Sequence, residues 1–317
     1  MGAPVVSVLV TSYNRERFIG ASIESVLAQT FGDFELLVTD NCSTDGTLEV
    51  ARGYERIDRR VRVVVNERNL GQFGNRNRAA ELAQAPLIKY HDSDDLMYSH
   101  CLAVMVPAMQ AFPEAAFGLS TGRDWFGGPC PMLMTPRHSF QREFLGAGMF
   151  NPGPGGAIFR ADAFKVLGGW IDRGAPSDYL FWLSACARTH VVLLPADLFW
   201  YRVHAGQEYQ SDGVAREYAE TIHDTWAALA NDGCPLEPHE RDRARRNVLA
   251  AQLKLLWRDL RAGRFTLASQ RLAAGPTMAE WVRYIGRPSR DPAAGTPALD
   301  ERARTAPEPA ADGALRR

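Results

Sequence analysis

The stretch Pro86-Leu-Ile-Lys-Tyr-His-Asp-Ser-Asp-Asp95 ends a short apolar run with the acidic run Asp92-Ser-Asp94-Asp95. The apolar part has the length of a buried β-strand and is too short for a helix. Carboxylates that follow a strand project where the backbone leaves the sheet, and converging oxygen ligands of this kind suit Mg²⁺ or Mn²⁺. A solvated acidic turn, or caps for a helix that begins near Leu96, is the alternative interpretation of so short a run.

The same pattern of strand and polar loop recurs toward the N-terminus. Short β-branched runs at residues 4–10, 34–39 and 61–65 predict strands, and apolar residues at helical spacing predict helices at 17–29, 47–54 and 77–83. Strands that alternate with helices indicate an α/β fold with a mostly parallel, doubly wound sheet. Ligands gather at the C-terminal strand ends of such a sheet, and the polar loops 11–14 and 40–46 both lie there.

The rest of the chain predicts a less regular second half and a helical extension. Helices are expected at 101–111, 161–167 and 179–187, with strands at 116–120, 157–160 and 190–194. Residues 123–150 are expected to form a long loop, and loops of that length are usually functional. Amphipathic helices are expected at 214–231, 238–262 and 264–273. The tail 286–317 has too few large apolar residues to pack and is expected to be disordered.

Composition and charge exclude several classes of protein. With 317 residues, 46% of them apolar, the chain can bury a large core, and its net charge of −1 gives no field that would hold nucleic acid. No apolar run approaches the roughly 20 residues that cross a bilayer, so no transmembrane segment is expected. The N-terminus enters a strand without an export signal, and the five scattered cysteines form no CxxC motif. These features favour a reducing, cytoplasmic location.

Three segments of the first third carry a resemblance to a known family. They are Ser7-Val-Leu-Val-Thr-Ser-Tyr-Asn14, the stretch 29–47 that contains Asp40-Asn-Cys-Ser-Thr-Asp-Gly46, and Asn69-Leu-Gly71 running on to Asp95. In this combination the chain resembles the inverting family 2 glycosyltransferases, which have the GT-A fold. Looser matches follow at Phe159-Arg160, Gly168-Gly-Trp170, Ser177-Asp-Tyr-Leu-Phe-Trp182 and Tyr201-Arg-Val-His204.

The resemblance implies a division of the chain and a class of donor. A catalytic domain would cover residues 1–205, with a nucleotide-sugar half at 1–100 and an acceptor half at 101–205, before the helical region 206–285 and the tail 286–317. The donor would be a nucleotide-diphosphate sugar. The acceptor would be a hydroxyl group of a saccharide, a lipid-linked molecule or a small molecule. Apart from the resemblance, a predicted helix carries Arg241, Arg243, Arg245 and Arg246, which could bind a partner subunit or the inner membrane face; solvated charge balanced by nearby acidic residues is the favoured alternative.

The loops after the first two strands would hold the base of the donor. By resemblance, Thr11 and Tyr13 would contact it, Tyr13 by stacking; the alternative for Tyr13 is a turn residue half packed on the sheet. Asp40 and Asn41 stand where the family has an Asp-Asp pair, and the partner of the base imide falls on Asn41. An amide oxygen can accept that bond but is neutral. This neutrality weakens the case for any one base; the resemblance favours UDP, with dTDP or GDP as alternatives.

Other residues would bind the rest of the donor. The resemblance implies that Arg76 reaches the nucleotide, that Asn69 and Gly71 shape the loop beneath it, and that Asp92 lies near the ribose, with Ser93 beside it. For Arg76, an ordinary surface salt bridge is the alternative.

The metal and phosphate contacts are assigned by the same resemblance. Asp94 would bind Mg²⁺ or Mn²⁺, and His204 would complete the metal site or bind a phosphate. The metal would neutralise the charge that grows on the departing nucleoside diphosphate. Arg202 could equally make the phosphate contact, whereas Asp95 is explained by a helix cap alone.

The catalytic base is predicted to be Asp178. An acceptor hydroxyl is a poor nucleophile until a base removes its proton. Ser177-Asp178 stands where the family has Glu-Asp, so Ser177 would replace a residue that contacts the acceptor; a helix N-cap is the alternative for either residue. Trp170, beside two glycines, is a further candidate for acceptor contact. The predicted reaction is a single in-line displacement with inversion.

The sequence supports three alternative functions less well. A sugar nucleotidyltransferase would need a glycine- and lysine-rich phosphate loop after the first strand, and Thr11-Ser-Tyr-Asn14 is no such loop. A dehydrogenase would need GxGxxG there. A non-catalytic nucleotide-sugar binder would explain Asn41 and Ser177 as signs of decay.

Overall fold

The computed structural model describes residues 3–121, 129–204 and 213–285, so the tail 286–317 and part of the predicted loop 123–150 lie outside the described residues. The strands are β1 (Val6–Ser12), β2 (Phe34–Asp40), β3 (Val61–Val65), β4 (Leu87–Asp92), β5 (Leu96–Met97), β6 (Ala115–Ser120), β7 (Met132–Met134), β8 (Ala157–Arg160), β9 (His190–Leu194) and β10 (Phe199–Trp200). The helices are α1 (Glu16–Leu27), α2 (Thr47–Ile57), α3 (Gly71–Leu82), α4 (Cys101–Ala111), α5 (Pro136–Leu145), α6 (Ala161–Val166), α7 (Ser177–Cys186), α8 (Val214–Ala230), α9 (Pro238–Arg261), α10 (Phe265–Ala274) and α11 (Met278–Ile285), with a 3-10 turn at Pro154–Gly156.

The first half folds as the predicted strand–helix units. β1 pairs in parallel with β2 on one side and β4 on the other, and β3 pairs in parallel with β2. Every residue of β1 and β2 except Thr11 is buried, as expected for parallel strands covered on both faces. The chain changes sides between β3 and β4, so the C-terminal ends of β1 and β4 flank the crevice where ligands bind in such sheets.

The second half extends the sheet with strands of both directions. β8 is antiparallel to β4 and β6, β9 is parallel to β6, and β7 is antiparallel to β9, which gives the order β3-β2-β1-β4-β8-β6-β9-β7. Four of these seven pairings are parallel, so the predicted mostly parallel α/β sheet is confirmed. The sheet carries a buried aromatic cluster on one face, formed by Tyr90, Phe159, Phe164, Trp170, Phe181 and Trp182.

Two local predictions are wrong. The chain after the acidic run does not begin a helix at Leu96; it forms β5, which pairs with β10, and α4 begins only at Cys101. The predicted loop 123–150 contains β7 and α5. Thr135 caps α5, because its hydroxyl accepts a hydrogen bond from the His138 N–H at 3.2 Å, and Pro136 occupies the first turn. Phe140 on α5 is buried in the core.

The C-terminal helical extension is confirmed and has one more helix than predicted, α11. The contacts that hold α11 include a small cluster of Trp226, Leu249, Trp281 and Tyr284. Among the residues that the structure describes, none of the helices has the length and apolar character needed to span a bilayer.

Candidate active site

The C-terminal ends of β1, β2 and β4 meet at one edge of the sheet. In the parallel registers, Thr11 lies opposite Asp92, and Ser12 lies opposite Asp40. Thr11 is half-buried, whereas Tyr13, just beyond β1, is 44% exposed. The two residues expected to contact a base therefore lie at the crevice, and Tyr13 presents an exposed ring there.

The first loop beyond β2 is held by Asp40. Its buried carboxylate accepts hydrogen bonds from the backbone N–H of Ser43 at 2.9 Å and from the Ser43 hydroxyl at 2.5 Å. Ser12 Oγ lies 3.4 Å from the same carboxylate. Asp40 thus fixes the loop shape and ties it to the end of β1.

Asn41 has its side-chain amide fully used inside the protein. The amide nitrogen donates to Asn69 Oδ1 at 2.8 Å and to the carbonyl of Gly71 at 3.2 Å. The amide oxygen accepts from Asn66 Nδ2 at 3.0 Å and from the Leu70 N–H at 2.9 Å. Because an amide makes four such bonds at most, the structure gives Asn41 a loop-shaping role in place of the predicted contact with the base.

Arg76 and Asp92 form a close ion pair at the mouth of the crevice. Arg76, on α3, is buried, and its guanidinium donates to Asp92 Oδ1 at 2.6 Å. Burial is the largest single effect and raises the pKa of Asp92, but Arg76, together with His91 and Lys89, brings the pKa below its ordinary value. The surface salt bridge considered for Arg76 is wrong, since this pair is largely enclosed. Ser93 follows Asp92 and is buried.

The second carboxylate of the acidic run, Asp94, faces His204, which lies four residues beyond β10. Asp94 Oδ2 lies 3.0 Å from His204 Nε2 and 3.1 Å from Arg15 Nε. The His204 ring packs on Phe18 with centroids 4.4 Å apart. The sequence does not predict Arg15 as a site residue, because nothing in the local pattern after β1 marks it as a neighbour of Asp94.

The pair of Asp94 and His204 fits a divalent cation of the expected kind. Among the described residues, no group of three or more His, Cys, Asp or Glu side chains is arranged to hold a metal by itself. Mg²⁺ in nucleotide-dependent enzymes takes one or two carboxylates and draws its other ligands from phosphates and water. One carboxylate oxygen beside one imidazole nitrogen, at the edge where a diphosphate would lie, meets that requirement.

Asp95 is a buried residue of the site rather than the helix cap considered for it. Its Oδ1 accepts a hydrogen bond from the Arg202 N–H at 2.9 Å, while Arg202 Nε donates to the Asp94 carbonyl at 2.7 Å. Burial, followed by the charge of Asp92, raises the pKa of Asp95 to about 8. Arg202, with its guanidinium 5.0 Å from the centre of the Trp200 ring, therefore braces the acidic run.

Asp178 lies near Asp92 across the glycine-rich turn at 153–156. A methyl group added at Gly153 would stand 3.9 Å from Asp178 Oδ2, and one added at Gly155 would stand 3.5 Å from Asp92 Oδ2. The two glycines thus lie close to the two carboxylates, one beside each. Burial raises the pKa of Asp178 to about 6, although the Tyr179 N–H and Arg76 both lower it. The residue before α7 is Pro176, so Asp178 does not serve as the N-cap.

Comparison with known proteins identifies the family to which the chain belongs. The model of the family described as glycosyl transferase family 2 matches residues 7–168, which is half of the chain. The chain belongs to glycosyl transferase family 2. Its sequence is 39% identical over 105 residues to the UDP-Glc:alpha-D-GlcNAc-diphosphoundecaprenol beta-1,3-glucosyltransferase WfgD of Escherichia coli. The match covers 33% of this chain and 41% of that protein.

Solved structures extend the family assignment to the fold. The structure of S. aureus TarS 1-349 in complex with UDP-GlcNAc aligns with a TM-score of 0.59 and 22% identity, over 77% of this chain and 71% of that chain. The mannosyltransferase PcManGT from Pyrobaculum calidifontis, in complex with GDP-Man and Mn²⁺, aligns with a TM-score of 0.55 and 18% identity, over 86% of both chains. The fold of this family 2 glycosyltransferase is therefore of the GT-A type.

A buried lysine links the two sides of the glycosyltransferase site and was missed in the sequence. Lys89 of β4 is fully buried, and its Nζ donates to the carbonyls of Tyr90 and Gly155. Burial lowers the pKa of Lys89. A charged residue inside an otherwise apolar strand is the signal that could have found it. Its neighbour His91 is also fully buried, which lowers the pKa of His91 to about 3 and keeps the ring neutral.

Two predicted acceptor contacts of the glycosyltransferase are structural residues. Trp170 is buried in the aromatic cluster, with its ring centroid 4.6 Å from that of Phe181, because the two preceding glycines turn its side chain inward. Ser177 is also buried, and its hydroxyl accepts from the Arg173 N–H at 2.8 Å and donates to the Gly174 carbonyl at 2.7 Å. The structure therefore corrects both predictions.

Proposed function

We propose that this glycosyltransferase moves a sugar from a nucleoside-diphosphate sugar to an acceptor hydroxyl with inversion at the anomeric carbon. The observation that carries the proposal is the placement of two half-buried carboxylates, Asp178 and Asp92, beside Gly153 and Gly155 of one glycine-rich turn. This placement brings the residue that would hold the donor close to the residue that would activate the acceptor. The family and the fold support the reaction class.

The donor would lie along the strand-end edge. Tyr13 and Thr11 take the base, Arg76 and Asp92 take the ribose side, and the diphosphate reaches Asp94. UDP is favoured, with dTDP and GDP as the alternatives. The name of WfgD specifies UDP-Glc, TarS was solved with UDP-GlcNAc and PcManGT with GDP-Man, so the fold accommodates both uracil and guanine.

Asp94 and His204 would hold Mg²⁺ or Mn²⁺. The bound cation would supply positive charge to the departing diphosphate, where negative charge grows as the glycosidic bond breaks. Arg15 and Arg202 orient Asp94, through its carboxylate and its backbone carbonyl respectively. This arrangement fixes the carboxylate before the donor binds.

Asp178 would act as the base. With a pKa of about 6, it is mostly ionised at neutral pH yet is a stronger base than an exposed aspartate. It takes the proton of the acceptor hydroxyl while the oxygen forms its bond to the anomeric carbon and the bond from that carbon to the diphosphate breaks. Because attack and departure occur on opposite faces in a single step, the configuration inverts.

The acceptor and the cellular location are inferred from the relatives and from the notion of a lipid-linked carrier. The matched segment covers less than half of WfgD, whose acceptor, by its name, is a diphosphoundecaprenol-linked sugar. We infer a saccharide hydroxyl as the acceptor, with lipid-linked carriers first and small molecules second. The protein would act in the cytoplasm, with peripheral contact at the inner membrane face for a lipid-linked acceptor.

A donor screen tests the proposal. The protein is incubated with UDP, dTDP and GDP sugars, with and without Mn²⁺, and the release of nucleoside diphosphate is measured with hydroxyl acceptors. Metal-dependent release from one donor class is the expected result, and the anomeric configuration of the product is then read by NMR. Tight nucleotide-sugar binding without turnover on any acceptor would instead identify a non-catalytic binder. A retained configuration would reject the single displacement.

A further inference from the structure

The helical extension contains a hairpin of α9 and α10 whose tip is both basic and aromatic. α9 stops at Arg261, and the chain turns through Gly263, whose φ of 71° suits glycine, into α10. Lys254 precedes Trp257 and Arg258 by three and four residues, and Arg261 follows them by four and three. The four side chains therefore share one face of α9. These four residues line one shallow depression at the end of the helix.

Large apolar side chains at this tip are exposed in the part of the chain that the structure describes. Trp257 is 61% exposed and Phe265, the first residue of α10, is 68% exposed. Leu260, next to Arg261 at the end of α9, is exposed as well. Neighbouring large apolar side chains on a surface mark a site of interaction.

The same tip has an excess of positive charge. Residues 251–275 contain five basic residues and one acidic residue, Asp259. Asp259 is buried and paired with Arg264 and Arg271, each at 2.6 Å, while Arg258 lies 3.9 Å from it, at the limit of an ion pair. Lys254 and Arg261 have no ion pair within the described ranges. Their charge is therefore available to a ligand.

We propose that this tip, defined by Lys254, Trp257, Arg258, Arg261 and Phe265, docks on an anionic phospholipid bilayer. Arginine and lysine contact lipid phosphates while aromatic rings enter the interface, and this combination is typical of helices that lie on a membrane surface. A second copy of the chain would bring the same positive charge against itself in a symmetric contact, which disfavours it as the occupant. The inference is independent of the proposed transfer chemistry.

Vesicle co-sedimentation of the full chain tests the proposal. The protein is expected to bind vesicles of phosphatidylcholine with roughly 30% phosphatidylglycerol and to stay in solution with phosphatidylcholine alone. Each basic residue near such a surface contributes about fivefold to the partition coefficient, so R258A/R261A should bind about 25-fold more weakly. W257S/F265S, which removes the aromatic rings, should bind at least about tenfold more weakly.

Matched controls come from the end of α2. Arg56 and Arg59 are exposed, and Ile57 is 79% exposed, so R56A/R59A removes two charges and I57S removes an apolar side chain outside the tip. Both controls should bind vesicles as the wild type does, and all variants should keep the wild-type thermal unfolding temperature. Wild-type protein that stays in solution with anionic vesicles overturns the proposal, as does equal loss in the R56A/R59A control. Unchanged binding of W257S/F265S also overturns it, and binding to polyglutamate in preference to vesicles would point to an acidic protein partner.

Discussion

The two halves of the catalytic region place their carboxylates by different means. In the first half, the parallel strands β1, β2 and β4 end at a common edge, so Asp40 and Asp92 lie at that edge because each is the last residue of its strand. In the second half, β6 to β10, Asp178 is placed by the packing of α7 and by the glycine turn that precedes β8. The first arrangement depends on local sequence and sheet register, and the second on contacts between distant segments. Changes in the second half should therefore separate catalysis from donor binding.

The sharpest test of this difference is D178N. We expect kcat to fall by roughly 10²–10⁴-fold, the usual contribution of a general base, with little change in the dissociation constant of the nucleotide. Asn retains an oxygen that can accept the Tyr179 N–H, which now donates to Asp178 at 2.7 Å. The measurement is single-turnover transfer together with calorimetric titration of the nucleotide.

The folded state of D178N can be checked independently. In the folded protein the pKa of Asp178 is raised from 3.8 to about 6, so the ionised carboxylate disfavours folding above that pH. The neutral amide removes this cost, and D178N should unfold at the same or a higher urea concentration than the wild type at pH 7. The control D162N changes an exposed carboxylate on α6 and should leave kcat unchanged. Wild-type kcat in D178N would reject Asp178 as the base.

In the first half, D94A should slow transfer strongly and remove the response to added Mn²⁺. The lost carboxylate leaves His204 as the remaining expected protein ligand, and a loss of roughly 10²–10³-fold is expected from the loss of charge stabilisation. Titration of Mn²⁺ against activity measures it, with D33A, an exposed aspartate before β2, as the control. A variant that stays active and still responds to Mn²⁺ would place the metal elsewhere.

The sequence could predict most strands and helices of both halves but few of the contacts between distant side chains of the site, for physical reasons. Asp92 and Asp94 directly follow an apolar run, so their position at a strand end is a local property. Arg15 meets Asp94 only because α1 packs beside the end of β4, and no periodicity reports such a contact. The motif positions of Trp170 and Ser177 predict contact with the acceptor, whereas the packing of the core turns both side chains inward.

Lys89 joins the two halves, and K89M tests whether that link matters. Methionine keeps much of the side-chain volume but leaves the carbonyls of Tyr90 and Gly155 without their buried donor. Because small shifts of a catalytic group can cost 10²-fold, we expect kcat to fall roughly 10–100-fold while the donor KM changes less than about threefold. Steady-state kinetics, with the exposed K165M as control, measure both constants. An equal fall in both variants, or a change in donor KM alone, would contradict a positioning role.

The pH dependence of transfer also distinguishes the two halves of the catalytic region, and its expected effect on the rate is smaller than that of the substitutions above. Asp178 accepts a proton only when ionised, so kcat/KM should decline below about pH 6, by about tenfold at pH 5. Asp92 has a lowered pKa and stays ionised over this range. The dissociation constant of the nucleotide should therefore stay constant from pH 5 to 7 while the rate falls. A breakpoint near pH 4, or parallel losses of rate and binding, would show that another group controls the profile.

The smallest expected effect tests the helix that the sequence did not predict. The Thr135 hydroxyl caps α5, and α5 carries Glu143, whose carboxylate accepts the backbone N–H groups of Met149 and Phe150 just before the glycine turn. T135A should cost about 1 kcal/mol of unfolding free energy, the usual value of a lost cap, whereas T135S should cost less than half as much. Urea unfolding measures the loss. If α5 also supports the turn beside Asp178, kcat of T135A falls severalfold and donor KM does not change. If both constants stay at wild-type values, α5 stabilises the second half without positioning its catalytic residue.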